Sequence, residues 1–261
     1  MKTPLKVVRR MGYLRDQRGI MNRYLRESDH WRKHLDLTRA FISSAFSNTF
    51  PEGEKKESIA VLGSGWLLDV PLEDLAERFE KVYLVDIYHP PQIRKKTAHM
   101  NQVFLVEADL SGGAIEQVWQ FTRKKGKHPM EELIDNIRLS HPLSGIDPSS
   151  IISVNLLNQL DIIICDHLIK QGHTEVEDLN RIRTIIQASH LEWITQKPGC
   201  LISDTREIST DKEGNETANT LLYTQLPAGT RSEQWSWEFD TSGSYRSGIH
   251  SRMEVMAVEW S

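Results

Sequence analysis

Two aspartates and a glycine turn occupy matched positions in this chain, each at the end of a short apolar run. The β-rich segment 58–62 leads directly into Gly63-Ser64-Gly65, and Asp86 and Asp109 close the next two apolar runs. A glycine turn lets bare backbone approach a ligand, and a carboxylate at the end of a following strand can accept hydrogen bonds from ribose hydroxyls. A second carboxylate, one strand further on, offers an acceptor for an exocyclic amine. The series therefore predicts a nucleoside lying across three strand ends.

Strand-like and helix-like segments alternate after residue 57, which is the pattern that positions such a site. The predicted strands are 58–62, 82–87, 102–107, 149–157 and 200–203, and the predicted helices between them include 72–79, 115–138 and 176–196. Short alternating β segments at 220–226, 234–239 and 251–258 complete the chain. Strand–helix–strand repetition favours an α/β fold with a mostly parallel, doubly wound, Rossmann-like sheet. The final segments predict antiparallel C-terminal strands at its edge.

The first 50 residues form a separate, helical pattern. Apolar residues recur at helical spacing from about residue 20 to residue 50, and Pro51 and Gly53 then interrupt it. We therefore predict a helical N-terminal extension over 1–50 and a Rossmann-like domain over 51–261. Tyr24 and Trp31 are expected to cover the cofactor site, so that deleting residues 1–48 would impair turnover more than cofactor affinity. The alternative is that the extension packs behind the sheet or against a second subunit.

Composition excludes several classes of protein. Charged residues make up 26% and hydrophobic residues 39% of 261 residues, which excludes intrinsic disorder. No apolar stretch approaches the roughly 18 residues of a membrane span, and the N-terminus lacks the apolar core of a signal peptide. Cys165 and Cys200 both lie in apolar contexts and are predicted to be buried thiols in a reducing compartment. We expect a cytoplasmic protein without a membrane partner.

Positive charge is concentrated near the N-terminus. Residues 1–34 contain ten Lys or Arg but only Asp16, Glu27 and Asp29 as acids, whereas the whole chain has a net charge of −4. Such a basic arm can attract RNA or another polyanion. It can equally be a solvated helical face docked on its own acidic body. No aromatic–basic nucleic-acid motif accompanies the charge, so a nucleic-acid partner is possible but not favoured.

From residue 58 to residue 261 the order of features resembles the class I S-adenosylmethionine-dependent methyltransferases. The resemblance is carried by the glycine loop after the first strand, the acidic ends of the second and third strands, and the loop after the fourth strand, which begins at Asn155. It implies S-adenosylmethionine as the cofactor and no metal site. The residues assigned to the cofactor are Gly63, Ser64, Gly65, Asp86, Ile87, Asp109, Leu110 and Asn155. Methyl transfer does not always require a general base, so catalytic residues leave few signals in a sequence. Asn155 is the one candidate, for a hydrogen bond at the reacting centre.

The chain departs from this family at two positions. Val61 stands where the family commonly has an acidic residue, and Leu67 stands where it often has a third glycine. Asp69 is a possible substitute for the missing acid. These departures keep open a catalytically inactive binding or partner protein. A nicotinamide dinucleotide enzyme is disfavoured, because its fingerprint requires a glycine at the position of Leu68.

The predicted reaction is methyl transfer from S-adenosylmethionine to a small-molecule acceptor, with transfer to RNA or protein as the rival. Asp204, just past the fifth strand, is placed to face the same mouth as the cofactor site, but a role in a turn is favoured. Asp166, His167 and His173 are candidates for the acceptor pocket or for capping and surface positions. His30 and His34 share a helix face, but no second cluster completes a metal site, so both are predicted at the surface. The sequence does not predict the acceptor or the oligomeric state.

Overall fold

The structure is a computed structural model that describes residues 3–45, 56–126 and 128–261. Its helices are α1 (Leu5–Met11), α2 (Tyr13–Ser44), α3 (Leu72–Arg78), α4 (Pro91–Thr97), α5 (Ala114–Phe121), α6 (Met130–Asn136), α7 (Ile162–Lys170) and α8 (Val176–Ile194), with a 3-10 turn at Leu157–Gln159. Its strands are β1 (Lys56–Leu62), β2 (Phe79–Asp86), β3 (Val103–Glu107), β4 (Ser150–Val154), β5 (Gly199–Thr210), β6 (Glu216–Thr220), β7 (Arg231–Asp240) and β8 (His250–Trp260).

All the strands in the described ranges belong to one sheet, in the order β3-β2-β1-β4-β5-β8-β7, and β6 pairs with β5 outside this path. Strands β1 to β5 pair in parallel along it. Strand β8 pairs antiparallel with both β5 and β7. The order reverses at β1, whose neighbours are β2 and β4. Ligands of open α/β sheets bind at such a switch point, outside the carboxyl ends of the strands.

The sheet is covered on both faces. Successive residues of β1 point to opposite sides, so that Ala60 and Leu62 join one apolar cluster and Ile59 and Val61 join the other. The first cluster includes apolar residues of α1, α5, α6, α7 and α8. The second includes apolar residues of α2, α3 and α4. The predicted α/β, mostly parallel, doubly wound sheet with antiparallel C-terminal strands is confirmed.

The N-terminal extension is helical, and its long helix α2 lies against the C-terminal strand β7, whereas α1 packs on α5 and α7. Gly12 joins α1 to α2 with a φ of +108°, a left-handed conformation that favours glycine. Helix α2 packs on β7, where the Trp31 indole N–H donates to the carbonyl of Phe239 (3.0 Å). Residues 46–55, which contain the predicted domain boundary, lie outside the described residues, so the division at 50/51 stays a prediction.

Two predicted elements need correction. The helix expected over 115–138 is two helices, α5 and α6. Gly126 between them has a φ of +93°, and Pro129 has no N–H to continue the hydrogen bonds of a preceding helix. The strand expected at 220–226 ends at Thr220, since β6 covers Glu216–Thr220 and is exposed throughout. Leu222 and Leu226 lie beyond the end of β6 and pack on the apolar core. Their apolar side chains are the reason that the segment was predicted as a strand.

One expectation from the sequence concerns the two cysteines. Cys165 and Cys200 are both buried free thiols, as predicted, and burial raises the pKa of Cys165 to about 12. None of the helices in the described ranges has both the length and the apolar character needed to cross a bilayer.

Candidate functional site

A cavity of about 480 Å³ lies where the carboxyl ends of β1, β2 and β4 meet. Every residue that the sequence assigned to a cofactor lines this cavity: Gly63, Ser64, Gly65, Asp86, Ile87, Asp109, Leu110 and Asn155. Residues separated by more than 90 positions are thus brought to one place by the parallel pairing of the strands.

The first glycine of the turn is required by a close approach of the backbone. Gly63 has a φ of +80°, and its N–H donates to the carbonyl of Val85 (3.0 Å). A Cβ at this position would lie 2.7 Å from the Val154 carbonyl oxygen and 2.9 Å from the Leu156 Cβ. The loop after β4 therefore crosses the glycine turn at a distance that no side chain allows.

This geometry predicts unequal effects of alanine at the two glycines. Gly65 also has a positive φ, +37°, but an added Cβ would meet nothing closer than the Asp86 Oδ2 at 3.6 Å. We expect Gly65→Ala to cost about 1–2 kcal/mol from the left-handed backbone alone. Gly63→Ala should cost about 1–3 kcal/mol more, because its Cβ also overpacks the loop. Urea unfolding of both variants measures the difference, and equal losses would contradict the close approach.

Leu67 has a left-handed backbone conformation of the kind that favours glycine. Its φ is +54°, it is buried, and its N–H donates to the Ser64 carbonyl (2.8 Å). The departure at this position therefore changes the side chain and leaves a glycine-like path of the loop. Val61 is fully buried in the core. Asp69, by contrast, lines the cavity, so the substitute considered from the sequence does reach it.

Asp86 ends β2 with its carboxylate in the cavity wall. Its Oδ2 accepts from the Gly65 N–H (2.8 Å) and its Oδ1 from the Gln17 side-chain amide (3.1 Å). Burial raises the pKa of Asp86 to about 6, against the lowering effect of the Gly65 and Tyr88 N–H groups. The group is therefore mostly ionised at pH 7 and is an acceptor for hydroxyl donors.

Asp109 lies after β3 and is fully buried. Its Oδ1 accepts from the Ser111 N–H (3.0 Å), its Oδ2 accepts from the Thr3 hydroxyl (3.1 Å), and burial raises its pKa. Thr3 and Gln17 are both in the N-terminal extension, which thus supplies a hydrogen-bond donor to each of the two carboxylates. A carboxylate oxygen has two lone pairs, so a nucleoside can share these acceptors or replace the donors.

Asn155 connects the loop after β4 to the N-terminal extension. Its φ of +46° suits asparagine better than most residues. Its Nδ2 donates to the Asp69 Oδ2 (2.6 Å) and lies 3.2 Å from the His34 Nε2. The side chain is therefore held between two elements at the cavity wall, and burial raises the pKa of Asp69 beside it.

The prediction that His34 lies at the surface is wrong, although His30 is exposed. His34 is buried, its Nδ1 accepts from the Trp235 indole N–H (3.0 Å), and its ring stacks on Trp237 at 4.1 Å. Burial lowers the pKa of His34 to about 3, so the ring is neutral. Several neighbours of His34 in the sequence are charged. For that reason its burial, which results from the packing of α2 on β7, was not predicted.

Strand β5 brings two acids into the cavity. Asp204 was predicted in a turn, but β5 continues to Thr210, and Asp204 lines the cavity from within the strand. Its Oδ1 accepts from the Trp237 indole N–H (2.9 Å), and burial raises its pKa to about 6. Glu207 lines the same cavity although it is three positions later. A register shift between Asp204 and Arg206 against β8 is a β-bulge that lets both acids face one side.

Four aromatic side chains line the cavity beside these acids: Trp31, Trp237, Phe239 and Tyr245. The ring centroids are 4.9 Å apart for Trp31 and Trp237, and 5.3 Å apart for Trp237 and Phe239. We call the part lined by Asp204, Glu207, Trp237, Phe239 and Tyr245 the C-terminal side of the cavity. Of the two aromatics predicted to cover the site, Trp31 lines it.

The other aromatic expected there, Tyr24, contacts the Trp31 ring at 6.0 Å and is not among the lining residues. Asp166 lines the cavity, whereas His167 lies 3.0 Å from the Thr122 hydroxyl and His173 packs on Phe121, both away from the lining. Within the described ranges no group of three or more His, Cys, Asp or Glu side chains is placed to hold a metal ion.

Several solved structures are similar to this chain in fold. The 1,6-didemethyltoxoflavin-N1-methyltransferase of Burkholderia thailandensis is 10% identical over 94% of this chain and 87% of its own, with a TM-score of 0.40. The N-methyltransferase NodS of Bradyrhizobium japonicum is 9% identical over 85% of both chains, with a TM-score of 0.36. The 23S rRNA methyltransferase ErmE is 9% identical over 86% of this chain and 67% of its own, with a TM-score of 0.31.

All three are methyltransferases, the class that the motifs resemble. No family model and no curated protein sequence matches the chain. At these identities and TM-scores the likenesses carry no weight for the activity of this chain, which has to be inferred from the site.

Proposed function

We propose that this protein is an S-adenosylmethionine-dependent methyltransferase that acts on a small-molecule acceptor in the cytoplasm. The observation that carries the proposal is the convergence of Asp86, Asp109 and the glycine turn on one cavity at the switch point of the sheet. The two aspartates supply carboxylates, and the glycine turn supplies backbone without side chains. Groups of these kinds can bind an adenosyl ligand.

The hydrogen-bond acceptors and apolar side chains of the cavity fit that ligand. Asp86 is the acceptor for the ribose hydroxyls, Asp109 is the acceptor for the adenine amine, and the apolar side chains of Ile87, Leu110 and Ile115 line the space between them. When bound, S-adenosylmethionine supplies an electrophilic methyl group on a positively charged sulfur. The chain's own contribution is orientation: Asn155 and Asp69 fix the β4 loop beside the cofactor region, and the cavity continues to the C-terminal side, where an acceptor has room.

Isothermal titration with S-adenosylhomocysteine and with NAD tests this assignment. We expect S-adenosylhomocysteine to bind and NAD not to bind, because Leu68 stands where a dinucleotide site needs glycine. Binding of NAD alone would overturn the proposal. Binding of S-adenosylhomocysteine without methyl transfer to any component of a cell extract would instead favour the catalytically inactive alternative, which the buried Val61 keeps open.

The rival function, transfer to RNA guided by the basic arm, has a test of its own. Arg9, Arg10, Arg15 and Arg18 are all exposed on α1 and α2, so they are placed as a solvated surface. We expect retention of the protein on immobilised RNA to be weak at 150 mM salt, and nearly unchanged when the four arginines are replaced by glutamine. Strong retention that falls steeply with salt and is lost in that variant would favour the RNA substrate.

A further inference from the structure

The C-terminal side of the cavity carries more negative than positive charge. Asp204 and Glu207 line it from β5, and both are at least nine-tenths buried. Arg246 is the cation that contacts this pair: its Nη2 donates to the Glu207 Oε2 (2.9 Å). Asp69 lines the neighbouring wall. Arg23 also lines the cavity, beside the aromatic rings, so that two cations face three acids in this part of it.

Asp204 has no cationic partner among the residues that the structure describes. Its hydrogen-bond partners are the neutral side chains of Trp237 and Asn158, and the charges of Asp69 and Glu207 add to the effect of burial in raising its pKa. An ionised carboxylate held out of water without a counter-charge costs free energy. A ligand that brings positive charge or N–H donors to this carboxylate offsets that cost.

Glu207 gives a second, independent observation. It is 3% exposed, and its Oε1 accepts no hydrogen bond from any described residue, although its Oε2 is bound to Arg246. Buried carboxylate oxygens without a donor are rare in folded proteins, and such a group in a cavity wall indicates a missing donor. A ligand with an N–H group that occupies the cavity can supply this donor.

The aromatic rings beside these acids suit the same kind of ligand. Faces of Trp, Tyr and Phe attract cations through their quadrupoles. The rings of Phe239 and Tyr245 already hold the Arg23 guanidinium carbon at 4.4 Å from each centroid. Trp237 donates its N–H to Asp204 and so fixes the ring next to the carboxylate.

We propose that the acceptor is a primary or secondary amine whose nitrogen binds at Asp204 and Glu207 and whose apolar part lies against Trp237 and Phe239. This inference rests on the proposed methyl transfer. The neutral amine donates an N–H hydrogen bond to the carboxylates, which leaves its lone pair free for the methyl carbon. A nitrogen–carbon bond forms, the carbon–sulfur bond breaks, and its electron pair stays on sulfur. The positive charge moves to nitrogen, where the two carboxylates stabilise it, and one proton then leaves to Asp204.

Matched pairs of small molecules test the proposal without knowledge of the natural substrate. Benzylamine, phenethylamine and cyclohexylamine are each compared with the alcohol of the same skeleton. Binding is measured by tryptophan fluorescence, and transfer of an isotope-labelled methyl group is measured by mass spectrometry. We expect the amines to bind about tenfold more tightly than the alcohols, because a protonated amine pairs its positive charge with the carboxylates, whereas an alcohol of the same skeleton is neutral. Methyl transfer should occur to the amines.

The variants Asp204→Asn and Glu207→Gln, combined, should remove this preference by weakening the binding of the amines about tenfold, while leaving the affinity for S-adenosylhomocysteine within about twofold. Glu216→Gln, an exposed change on β6, is the matched control and should keep it. Alcohols that bind as tightly as amines to the wild-type protein would overturn the proposal, and this comparison needs no variant to fold. A preference that persists in the double variant would also overturn it. Failure of S-adenosylhomocysteine to bind the wild type would instead refute the proposed function.

Discussion

Replacing Asp86 and Asp109 together by alanine should weaken the binding of S-adenosylhomocysteine by roughly a hundredfold to ten-thousandfold. Each carboxylate is expected to accept a hydrogen bond from the nucleoside, and hydrogen bonds to charged groups contribute about 1.5–3 kcal/mol each. Two such losses amount to about 3–6 kcal/mol, and each 1.4 kcal/mol is a factor of ten in affinity. Isothermal titration at pH 7.5 measures the change.

The control for this experiment is Asp147→Ala. Asp147 is an acid outside the cavity lining, its side chain is 84% exposed, and its partner is Lys197, so its loss should leave the affinity within about twofold. Circular dichroism must show that the double variant is folded, because Asp109 also accepts from Ser111 and Thr3 inside the protein. Unchanged affinity in a folded double variant would contradict the nucleoside site.

Asp204→Asn should become more stable relative to the wild type as the pH rises. The folded-state pKa of Asp204 is raised to about 6 by burial, whereas an unfolded aspartate titrates near 3.9. Between these values the folded wild type binds more protons than the unfolded chain, so its stability falls as the pH increases. Asparagine has no such proton. The difference in unfolding free energy should therefore grow by roughly 2–3 kcal/mol, in favour of the variant, between pH 4 and pH 7.5.

Urea unfolding of both proteins at four or five pH values measures this trend. The groups that set it are Asp69 and Glu207, whose charges raise the pKa, and the Trp237 and Asn158 side chains, whose hydrogen bonds lower it. Asp147→Asn on the exposed surface is the matched control and should differ from the wild type by less than about 0.5 kcal/mol throughout. A constant difference for Asp204→Asn would mean that the carboxylate is not confined as the structure places it.

The part of the cavity lined by Gly63, Asp86 and Asp109 was accessible to prediction because its signals are local. Each of these residues lies at the end of a strand or within two positions after it, so the strand pattern alone places them at the same edge of the sheet. The parallel pairing of β1, β2 and β3 then decides that they share one cavity. These signals survive low similarity to known proteins, since they depend on the backbone and on a few side chains.

The C-terminal side was not predictable for the opposite reason. Asp204 and Glu207 face the same side of the sheet only because of a bulge in β5, and no residue type in this segment indicates a bulge. Their aromatic neighbours Trp237 and Phe239 come from β7, which pairs with β8 and not with β5 itself. His34 is similar: its burial depends on the docking of α2 on β7, while its sequence neighbours are charged. Long-range packing, which leaves little trace in the local pattern, decided these positions.

The N-terminal extension shows the same division. Its helical character was predictable from periodicity, but its hydrogen-bond donors to the two cavity carboxylates were not. Gln17 and Thr3 reach Asp86 and Asp109 from positions whose sequence context gives no such signal. The extension is consequently part of the cavity wall.

A crystal structure of the complex with S-adenosylhomocysteine tests the central assignment most directly. The ribose hydroxyls should lie within hydrogen-bonding distance of Asp86, and the adenine amine within that distance of Asp109, above the turn at Gly63. A nucleoside bound elsewhere, or bound here with neither carboxylate in contact, would contradict the account.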